Sequence, residues 1–377
     1  MVKIKVGFIG YGINALGHRM ELENHSKLAG RTKVIAVLEP NPDVRKTLMN
    51  DKTITICEDL DNFLDIPELE AVIICSPPQF HASQAIAALE GGYDVYSEIP
   101  MCIEEKDIEK IIEAEERSGK VYQLGENYCF YPEVLYAGHL ASSGRIGPSV
   151  YAESEYLHDV TYRWRKNNKG GVDTPRIDSW YQLFDPLMYA HSIGPAQVAL
   201  GGIKNPKPFN EVTSFSNNIG GYQGNPICRP ANAFHVGLFR TEDGAIAKCA
   251  NAYIFAREPS RIIIQVVGRT GTYECYEIGK PGRLFLAKEH TITRSKHRKG
   301  RTTTIDKEKL TEVIDPVEGL YYGGQARVVD DWLTAIEKDT KALLNSRIGG
   351  NFCHAGISAS KSARSGGKPF KIKRYNN

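Results

Sequence analysis

The sequence has little net charge, no long apolar run and no paired-cysteine motif. Lys and Arg number 47 against 45 Asp and Glu, a balance that gives no reason to expect nucleic acid or an acidic membrane surface as a partner. No stretch approaches the roughly 20 apolar residues of a membrane span. The eight cysteines include no C-x-x-C and no zinc spacing. We therefore expect no metal site and reduced core thiols, as in the cytoplasm, and Met1 stands too close to the first predicted strand for a signal peptide.

A hydrophobic run followed by a glycine turn dominates the amino-terminal end. Residues Ile4–Ile9 have the pattern of a buried parallel strand, and a helix pattern begins at about Ile13. Between them stands Gly10-Tyr11-Gly12, and with Ala15 the spacing is G-x-G-x-x-A. In this context such a turn binds a dinucleotide pyrophosphate on the N–H groups of a helix N-terminus. The predicted cofactor contacts here are Gly10, Gly12, Ile13 and Asn14.

An acidic residue ends the second predicted strand. Residues 33–38 read Lys-Val-Ile-Ala-Val-Leu, and Glu39 follows, 29 positions after Gly10 (39 − 10 = 29). A carboxylate at this place can accept hydrogen bonds from both hydroxyls of the adenosine ribose. It would repel the additional phosphate of NADP, and Pro40-Asn41 supplies no cation to offset that repulsion. The sequence therefore favours NAD over NADP.

Short apolar strands alternate with helical segments through the first third of the chain. The further predicted strands are 53–57, 71–75, 93–97 and 121–124, and the predicted helices are 81–89 and 103–118. Such alternation is typical of a doubly wound parallel sheet, a Rossmann-type α/β fold with helices on both faces. Ligands bind beyond the carboxyl ends of the strands in these sheets. Those ends carry the glycine turn, Glu39 and residues 76–81 and 98–100.

The pattern changes after about residue 124. The predicted strands are 149–157, 211–216, 233–240, 245–255, 261–268 and 271–276, and the predicted helices are 132–143, 187–200, 325–338 and 352–365. Several strands alternate apolar and polar residues, as antiparallel strands with one solvated or partner-covered face do. We expect a dinucleotide-binding domain over 1–124 and a substrate-binding and oligomerisation α/β domain with a large, mostly antiparallel open sheet over 125–377, whose C-terminal helices could pack back on the first domain. The bare face of that sheet predicts a homodimer or homotetramer.

The order of these motifs resembles the Gfo/Idh/MocA family, named for glucose–fructose oxidoreductase, inositol dehydrogenase and a rhizopine catabolism protein. The likeness covers nearly the whole chain. It rests on the glycine turn, Glu39-Pro40-Asn41-Pro42, Ser76-Pro77-Pro78 with His81, Glu98-Ile99-Pro100, residues 144–147 and the Ser-Ala-Arg-Ser-Gly-Gly of residues 362–367. The resemblance implies an enzyme that oxidises or reduces a sugar or cyclic polyol with NAD(P).

Two positions depart from the family pattern. The family usually has Glu-Lys-Pro after the fifth strand, with the lysine between nicotinamide and substrate, whereas Ile99 stands at this lysine position here. Many members also place an Asp four residues before a catalytic His. His191 matches that histidine, but Leu187 stands at the aspartate position. The usual lysine–aspartate–histidine set is therefore reduced to the histidine, and Ile99 can only shape a substrate pocket.

The variant motifs are partly similar to a subgroup of NAD-dependent glycosidases of the α-N-acetylgalactosaminidase kind. The similarity rests on Glu98-Ile99-Pro100, on Tyr156-Leu157-His158-Asp159 and on His191-x-x-Gly194-Pro195. Those enzymes oxidise a sugar carbon, eliminate the aglycone, add water and return the hydride. The subgroup has Tyr three residues before the His, where this chain has Met188.

Three residues are the candidate catalytic groups. His191 is the predicted general base, because a hydride leaves a carbinol carbon only as the hydroxyl loses its proton. Tyr156 and His158 lie two apart on a predicted strand and therefore face the same side. They could bind hydroxyls or move a proton. The alternatives are a structural histidine at 191 and ordinary sheet-surface polar groups at 156 and 158.

Further candidates belong to the cofactor and the substrate. We expect Glu98 to hold the nicotinamide ribose or a tyrosine, and His81 to fix the loop of Ser76 and Pro77 beside the cofactor. Trp164 could stack on a sugar ring and Arg163 could bind a carboxylate or phosphate. The predicted cofactor contacts here are Ser76, Pro77, His81, Glu98 and Asn127, and the predicted substrate contacts are Ile99, Tyr128, Trp164 and Arg163.

Three functions remain open at the level of the sequence. The first is an NAD-dependent oxidoreductase acting on a sugar, polyol or glycoside. The second keeps NAD but makes turnover redox-neutral, in a glycosidase or lyase. The third is a non-catalytic protein that binds NAD and sugar, suggested by the missing lysine.

Overall fold

A computed structural model describes residues 3–159, 165–166, 174–175, 185–217, 234–253, 257, 260–287 and 300–376. The chain divides into two compact units, of which the first comprises residues 1–130, 317–353 and 375–377 and the second residues 131–316 and 354–374. The predicted domains, 1–124 and 125–377, have a single boundary. The packing groups residues 317–353 with the first unit, and these residues include α9, one of the C-terminal helices expected to be able to pack back on the first domain.

The first unit is built on a parallel sheet of six strands in the order β3-β2-β1-β4-β5-β6, which confirms the predicted Rossmann-type arrangement. The strands are β1 (Ile4–Ile9), β2 (Thr32–Leu38), β3 (Thr55–Cys57), β4 (Ala71–Ile74), β5 (Asp94–Ser97) and β6 (Tyr122–Leu124). The helices are α1 (Ile13–Asn24), α2 (Pro42–Leu48), α3 (Leu60–Leu64), α4 (His81–Glu90), α5 (Glu105–Ser118) and, from the later segment, α9 (Gly324–Lys338). Short 3₁₀ turns cover Pro78–Phe80 and Asn127–Phe130.

Continuous burial explains why these strands read as apolar runs rather than alternating ones. All four residues of β4 are buried, as strands covered on both faces require. Helix α5 buries one stripe, with Ile108, Ile111 and Ile112 at helical spacing, and presents charged residues elsewhere. It ends at Gly119, whose φ of 65° lies in the left-handed region where glycine is favoured. The apolar pattern of the sequence is thus the pattern of the core.

The second unit contains a sheet of nine strands in the order β16-β15-β14-β13-β7-β12-β11-β10-β17. Only β7 and β12 pair in parallel, and the other neighbours are antiparallel, which confirms the predicted mostly antiparallel sheet. The strands are β7 (Ser149–Leu157), β10 (Phe209–Asn217), β11 (Phe234–Thr241), β12 (Ile246–Ala252), β13 (Arg261–Gly268), β14 (Gly271–Cys275), β15 (Gly282–Ala287), β16 (Gly300–Ile305) and β17 (Phe370–Lys371). A separate antiparallel pair joins β8 (Arg165–Lys166) and β9 (Thr174–Pro175). The helices are α6 (Pro132–Ser142), α7 (Ile193–Gly201), α8 (Lys307–Thr311) and the later part of α10 (Ser346–Arg364).

The helix predicted over residues 187–200 is not continuous in the structure. A 3₁₀ turn covers Pro186–Tyr189, Ala190 adopts a φ of 63°, and α7 begins only at Ile193. The physical reason is Pro195, whose ring in a longer helix would meet the carbonyl of His191, four residues earlier. His191 therefore stands in the turn immediately before α7. Across the part of the chain that the structure describes, no helix has the length and apolar character needed to cross a membrane.

Candidate functional site

The turn between β1 and α1 is one that only glycine can make. Gly10 has a φ of 83°, and a Cβ added there would lie 2.8 Å from the backbone nitrogen of Ser76. Such a distance is a clash with backbone atoms, which cannot move aside as a flexible side chain can. The glycine turn therefore packs directly on the segment that follows β4, and both predicted cofactor elements, at Gly10 and Ser76, come together.

Gly12 has open space in front of it. A Cβ at Gly12 would meet no atom within 4 Å among the described residues, and no side chain caps α1 there. The first helical bond runs from Leu16 N to Gly12 O, so the N–H groups of Ile13, Asn14 and Ala15 lack a partner within the helix. These N–H groups, with the partial positive charge of a helix N-terminus, lie beside open space and could bind a pyrophosphate.

Glu39 lies at the end of β2 and holds the glycine turn. Its side chain is nearly buried, and its carboxylate accepts the backbone N–H of Tyr11 and that of Asn41, each at 2.8 Å. A carboxylate has about four acceptor positions, so two bonds leave capacity for ribose hydroxyls. Glu39 therefore also has a structural role that the sequence did not reveal, because its carboxylate links the end of β2 to the glycine turn.

His81 joins the loops that follow β4 and β5. It is 1% exposed, with Nδ1 2.8 Å from the carbonyl oxygen of Pro100 and Nε2 2.8 Å from that of Ser76. Burial lowers the pKa of His81, and the two carbonyl oxygens act in the opposite direction. Ser76 in turn donates its hydroxyl to Gln84 at 2.5 Å. These contacts accord with a loop-fixing role for His81, with Pro77 inside the loop it holds.

Glu98 follows β5 and pairs with a residue that the sequence analysis missed. Its Oε1 lies 2.6 Å from Nε2 of His18, a residue of α1 that is 2% exposed. The signal for His18 is a polar residue on the buried face of α1, a feature that it shares with Glu21. The Sγ of Cys75 lies with these two groups, and the three potential ligand atoms are within 4.8 Å of one another. We assign no metal to them, because His18 and Glu98 already satisfy each other, and the absence of a metal stays a prediction.

The remaining predicted contacts of the first unit are buried. Asn127, Tyr128 and Ile99 are 6%, 5% and 8% exposed. Asn127 donates its side-chain N–H to Oε1 of Gln325 at 3.1 Å, and the Tyr128 ring lies 6.5 Å from that of Tyr321. Ile99, just after β5, brings no titratable group to this place.

The three predicted catalytic residues come together in the second unit. The ring of Tyr156, near the end of β7, lies 4.6 Å from that of His191 and 5.7 Å from that of His158, measured between centroids. The Ser260 hydroxyl lies 2.7 Å from Nδ1 of His158. The phenol thus lies beside both imidazoles, and side chains of these types can serve as proton donors and acceptors. We call Tyr156, His158 and His191 the aromatic–imidazole cluster.

The segment before His191 is held from several sides. Asp185 is 3% exposed, accepts the Ser360 hydroxyl and lies 3.2 Å from a guanidinium nitrogen of Arg364. The side chain of Asn251 donates to the carbonyl of Pro186 at 2.9 Å. Leu187, at the position of the family's aspartate, is fully buried and can transfer no proton. Arg163 and Trp164 lie outside the described residues.

The first unit matches a known family. The model of the Gfo/Idh/MocA family, described as "Oxidoreductase family, NAD-binding Rossmann fold", matches residues 4–126. A solved structure of levoglucosan dehydrogenase in complex with NADH covers 99% of this chain and 100% of its own, with a TM-score of 0.76 and 18% identity. At that identity the likeness shows the fold alone, with the Rossmann sheet and the antiparallel sheet in one chain.

Two curated relatives extend the comparison. The 2,7-anhydro-N-acetylneuraminate hydratase of Mediterraneibacter gnavus is 22% identical over 349 residues, 91% of this chain and 86% of the relative. The alpha-N-acetylgalactosaminidase of Shewanella oneidensis is 24% identical over 230 residues, 57% of this chain and 48% of the relative. The second match therefore spans about half of the glycosidase.

Proposed function

Because residues 4–126 carry the NAD-binding Rossmann fold of the Gfo/Idh/MocA oxidoreductase family, we propose that the chain transfers a hydride between NAD and a carbinol carbon of a sugar, cyclic polyol or glycoside. NAD supplies the hydride acceptor. The open space at Gly12, the free N–H groups of α1 and the Glu39 carboxylate are the groups of this chain that would hold it. The cluster around His191 is the observation that carries the proposal.

His191 is the proposed base for the substrate hydroxyl. It stands in the turn before α7, and its ring contacts the ring of Tyr156 at 4.6 Å. In the proposed step His191 accepts the hydroxyl proton while Tyr156 orients the oxygen by a hydrogen bond. His158, with its Nδ1 at Ser260, would bind a neighbouring hydroxyl. With Ile99 and Leu187 at the lysine and aspartate positions, these residues replace the usual proton-transfer set.

The experiment is a substitution series with NADH formation as the readout. Purified protein would be incubated with NAD and a panel of sugars, cyclic polyols and glycosides. On a substrate that the parent oxidises, we expect His191→Asn to lower kcat by roughly 10²- to 10⁴-fold, since that is the contribution of a general base. Its NAD affinity should stay within about twofold of the parent. The matched control is His139→Asn, because His139 is an exposed histidine of α6. Unchanged kcat in the His191 variant would overturn this assignment.

A second candidate function is redox-neutral turnover. Elimination needs a second proton-transferring group beyond the one that serves the hydroxyl, and the cluster contains two imidazoles and a phenol in contact. The names of the two curated relatives, a hydratase and a glycosidase, favour the same class. Product release with catalytic NAD, and solvent deuterium at the carbon beside the oxidised one, would support it. Stoichiometric NADH without bond cleavage would contradict it.

Binding without turnover across the whole panel would favour the third reading, a non-catalytic protein that binds NAD and sugar. We rank it below the other two because the aromatic–imidazole cluster would then have no task. For localisation we propose the cytoplasm, on the seven described cysteines that are free thiols.

Association through the open face of the nine-stranded sheet is a further part of the proposal. Phe215 on β10 is 63% exposed and Leu238 on β11 is 54% exposed. Val236 lies opposite Phe215 and two residues from Leu238, so all three share one face. We propose that a second copy of the chain covers this face. Size-exclusion chromatography with light scattering tests it: Leu238→Glu should shift the parent's oligomer towards monomer, and a monomeric parent would overturn it.

A further inference from the structure

His18 is a buried histidine whose two ring nitrogens both have polar neighbours. It lies on the buried face of α1 with Ala15 and Leu22. Nε2 is 2.6 Å from Oε1 of Glu98, and Nδ1 is 2.9 Å from the side-chain nitrogen of Gln325, in α9. The same amide nitrogen lies farther, 3.2 Å, from Nε2, so we pair it with Nδ1. Neither the glycine turn nor the aromatic–imidazole cluster accounts for these contacts.

The neighbours of Gln325 give this chain of hydrogen bonds a direction. Asn127 donates its side-chain N–H to Oε1 of Gln325 at 3.1 Å, which leaves the amide nitrogen of Gln325 to face His18 and the hydroxyl of Tyr96, the latter at 3.2 Å. An amide nitrogen can only donate, so Nδ1 of His18 must accept. The ring hydrogen is then on Nε2, which donates a hydrogen bond to the Glu98 carboxylate.

Three buried titratable groups, Cys75, Tyr96 and Glu21, lie near the pair. Burial, and after it the charge of Glu98, raises the pKa of the Cys75 thiol and of the Tyr96 hydroxyl, so both stay protonated at neutral pH. Burial also raises the pKa of Glu21, one turn along α1 from His18, while the hydrogen bond from the Leu320 N–H acts against it. In this buried place the Glu98 carboxylate needs a hydrogen-bond donor, and Nε2 of His18 lies within reach at 2.6 Å.

We propose that His18 is a positioning residue, and that the directed series Asn127–Gln325–His18–Glu98 holds the Glu98 carboxylate in the orientation that bound NAD requires. His18 uses one oxygen of Glu98, and Oε2 stays available as an acceptor for a hydroxyl or amide donor of the cofactor. The series connects the ends of β5 and β6 with α1 and α9, so the later segment of the chain takes part in the cofactor site. The inference rests on NAD binding by this unit and is independent of the assignment of His191.

The first test reads the tautomer of His18 without cofactor. Protein labelled with ¹⁵N-histidine would be examined by long-range ¹H–¹⁵N NMR, with the His18 signals assigned by their loss in His18→Gln. We expect Nε2 to carry the ring hydrogen and Nδ1 to be an acceptor without a hydrogen. Gln325→Glu replaces the donor facing Nδ1 with an acceptor, so we expect that variant to hold His18 as an imidazolium. A parent ring that is an imidazolium at neutral pH, or is protonated at Nδ1, would overturn the proposal.

The second test reads NAD affinity by titration calorimetry in a matched pair of variants. The side-chain amide nitrogen of Gln reaches the place of Nε2, whereas that of Asn reaches only the place of Nδ1. We therefore expect His18→Gln to keep NAD affinity within about threefold, and His18→Asn to lower it by about tenfold or more. His139→Asn serves as the surface control. Equal affinity for His18→Asn and the parent, with normal unfolding, would overturn the proposal, as would a stoichiometric metal ion bound at His18. If neither variant folds, the tautomer of His18 in the parent, read by NMR, still decides whether the proposal holds.

Discussion

Replacing Glu39 by Gln is the most direct perturbation of the proposed NAD site. The carboxylate of Glu39 accepts two backbone N–H groups at 2.8 Å, from Tyr11 and Asn41. Glu39→Gln keeps the size of the side chain but turns one acceptor oxygen into an N–H₂ donor. One of the two backbone N–H groups then faces a donor. The variant therefore disturbs the glycine turn and weakens the acceptor proposed for the adenosine ribose.

The magnitude follows from the strength of hydrogen bonds to charged and neutral acceptors. Bonds to a charged group contribute about 1.5–3 kcal/mol each, against about 0.5–1.5 kcal/mol for neutral pairs. Two ribose bonds that each lose about 1–1.5 kcal/mol weaken NAD binding by about 2–3 kcal/mol, a factor of roughly 30 to 150 in Kd. NADP should lose less or gain, because the repulsion between the carboxylate and its additional phosphate disappears.

Calorimetric titration with NAD and NADP checks this, beside urea unfolding to show that the variant is folded. The matched control is Glu58→Gln, an exposed acid just after β3 that pairs with Arg45 at 2.8 Å. It should leave both affinities unchanged. An NAD Kd within about threefold of the parent in a folded Glu39 variant would refute the ribose assignment, since that is under half of the smallest loss expected from the two bonds.

Three further predictions concern stability and the glycine turn. Burial raises the pKa of Asp331 to about 6 from 3.8, so the folded state binds the carboxyl proton more tightly than the unfolded state does. The free energy of unfolding therefore falls as pH rises from about 4 to about 6, by at most about 3 kcal/mol. In urea unfolding, Asp331→Asn should be more stable than the parent at alkaline pH and similar to it in acid. Burial lowers the pKa of His235 to about 4 from 6.5, so the unfolded state is protonated at a higher pH than the folded state. The free energy of unfolding therefore falls by up to about 3 kcal/mol as pH drops from about 6.5 to about 4. In His235→Asn the urea midpoint should depend less on pH over this range. Gly10→Ala should lower stability by at least about 1–2 kcal/mol and abolish measurable NAD binding in calorimetry, because φ is 83° and the new Cβ would clash with Ser76.

The Rossmann sheet could be predicted because its signals are local. Most of these strands are short runs rich in apolar residues, and β4 and β5 are buried along their whole length. The glycine spacing and Glu39 depend only on neighbours within about 30 residues, the length of one βαβ unit. Tyr156 and His158 could be assigned to one face because side chains two apart on a strand share a side.

Long-range packing is the part that the sequence did not reveal. His18 and Gln325 are 307 residues apart, and no local sequence pattern around either residue predicts that they contact each other. The same holds for Leu124 and Leu344, whose backbone bond attaches the segment after α9 to the end of β6. Strands β15 and β16 were missed although they pair with each other, since their short runs carry ordinary polar residues such as Arg283 and Thr302. Pairing partners so far apart in sequence leave no periodic signal.

Leu187 is part of the core, and we predict that Leu187→Asp would not supply a working carboxylate beside His191. Leu187 is fully buried, and on α10 the absent side chain of Gly356 leaves room for its backbone, since a Cβ there would lie 2.7 Å from the Leu187 carbonyl oxygen. A Cβ at Gly237 on β11 would lie 3.3 Å from a Leu187 methyl group. A carboxylate in this setting would be desolvated by apolar neighbours and would favour its protonated form. The proposal therefore assigns acid–base chemistry to His191, four residues after Leu187, and to Tyr156 on β7, whose rings lie 4.6 Å apart.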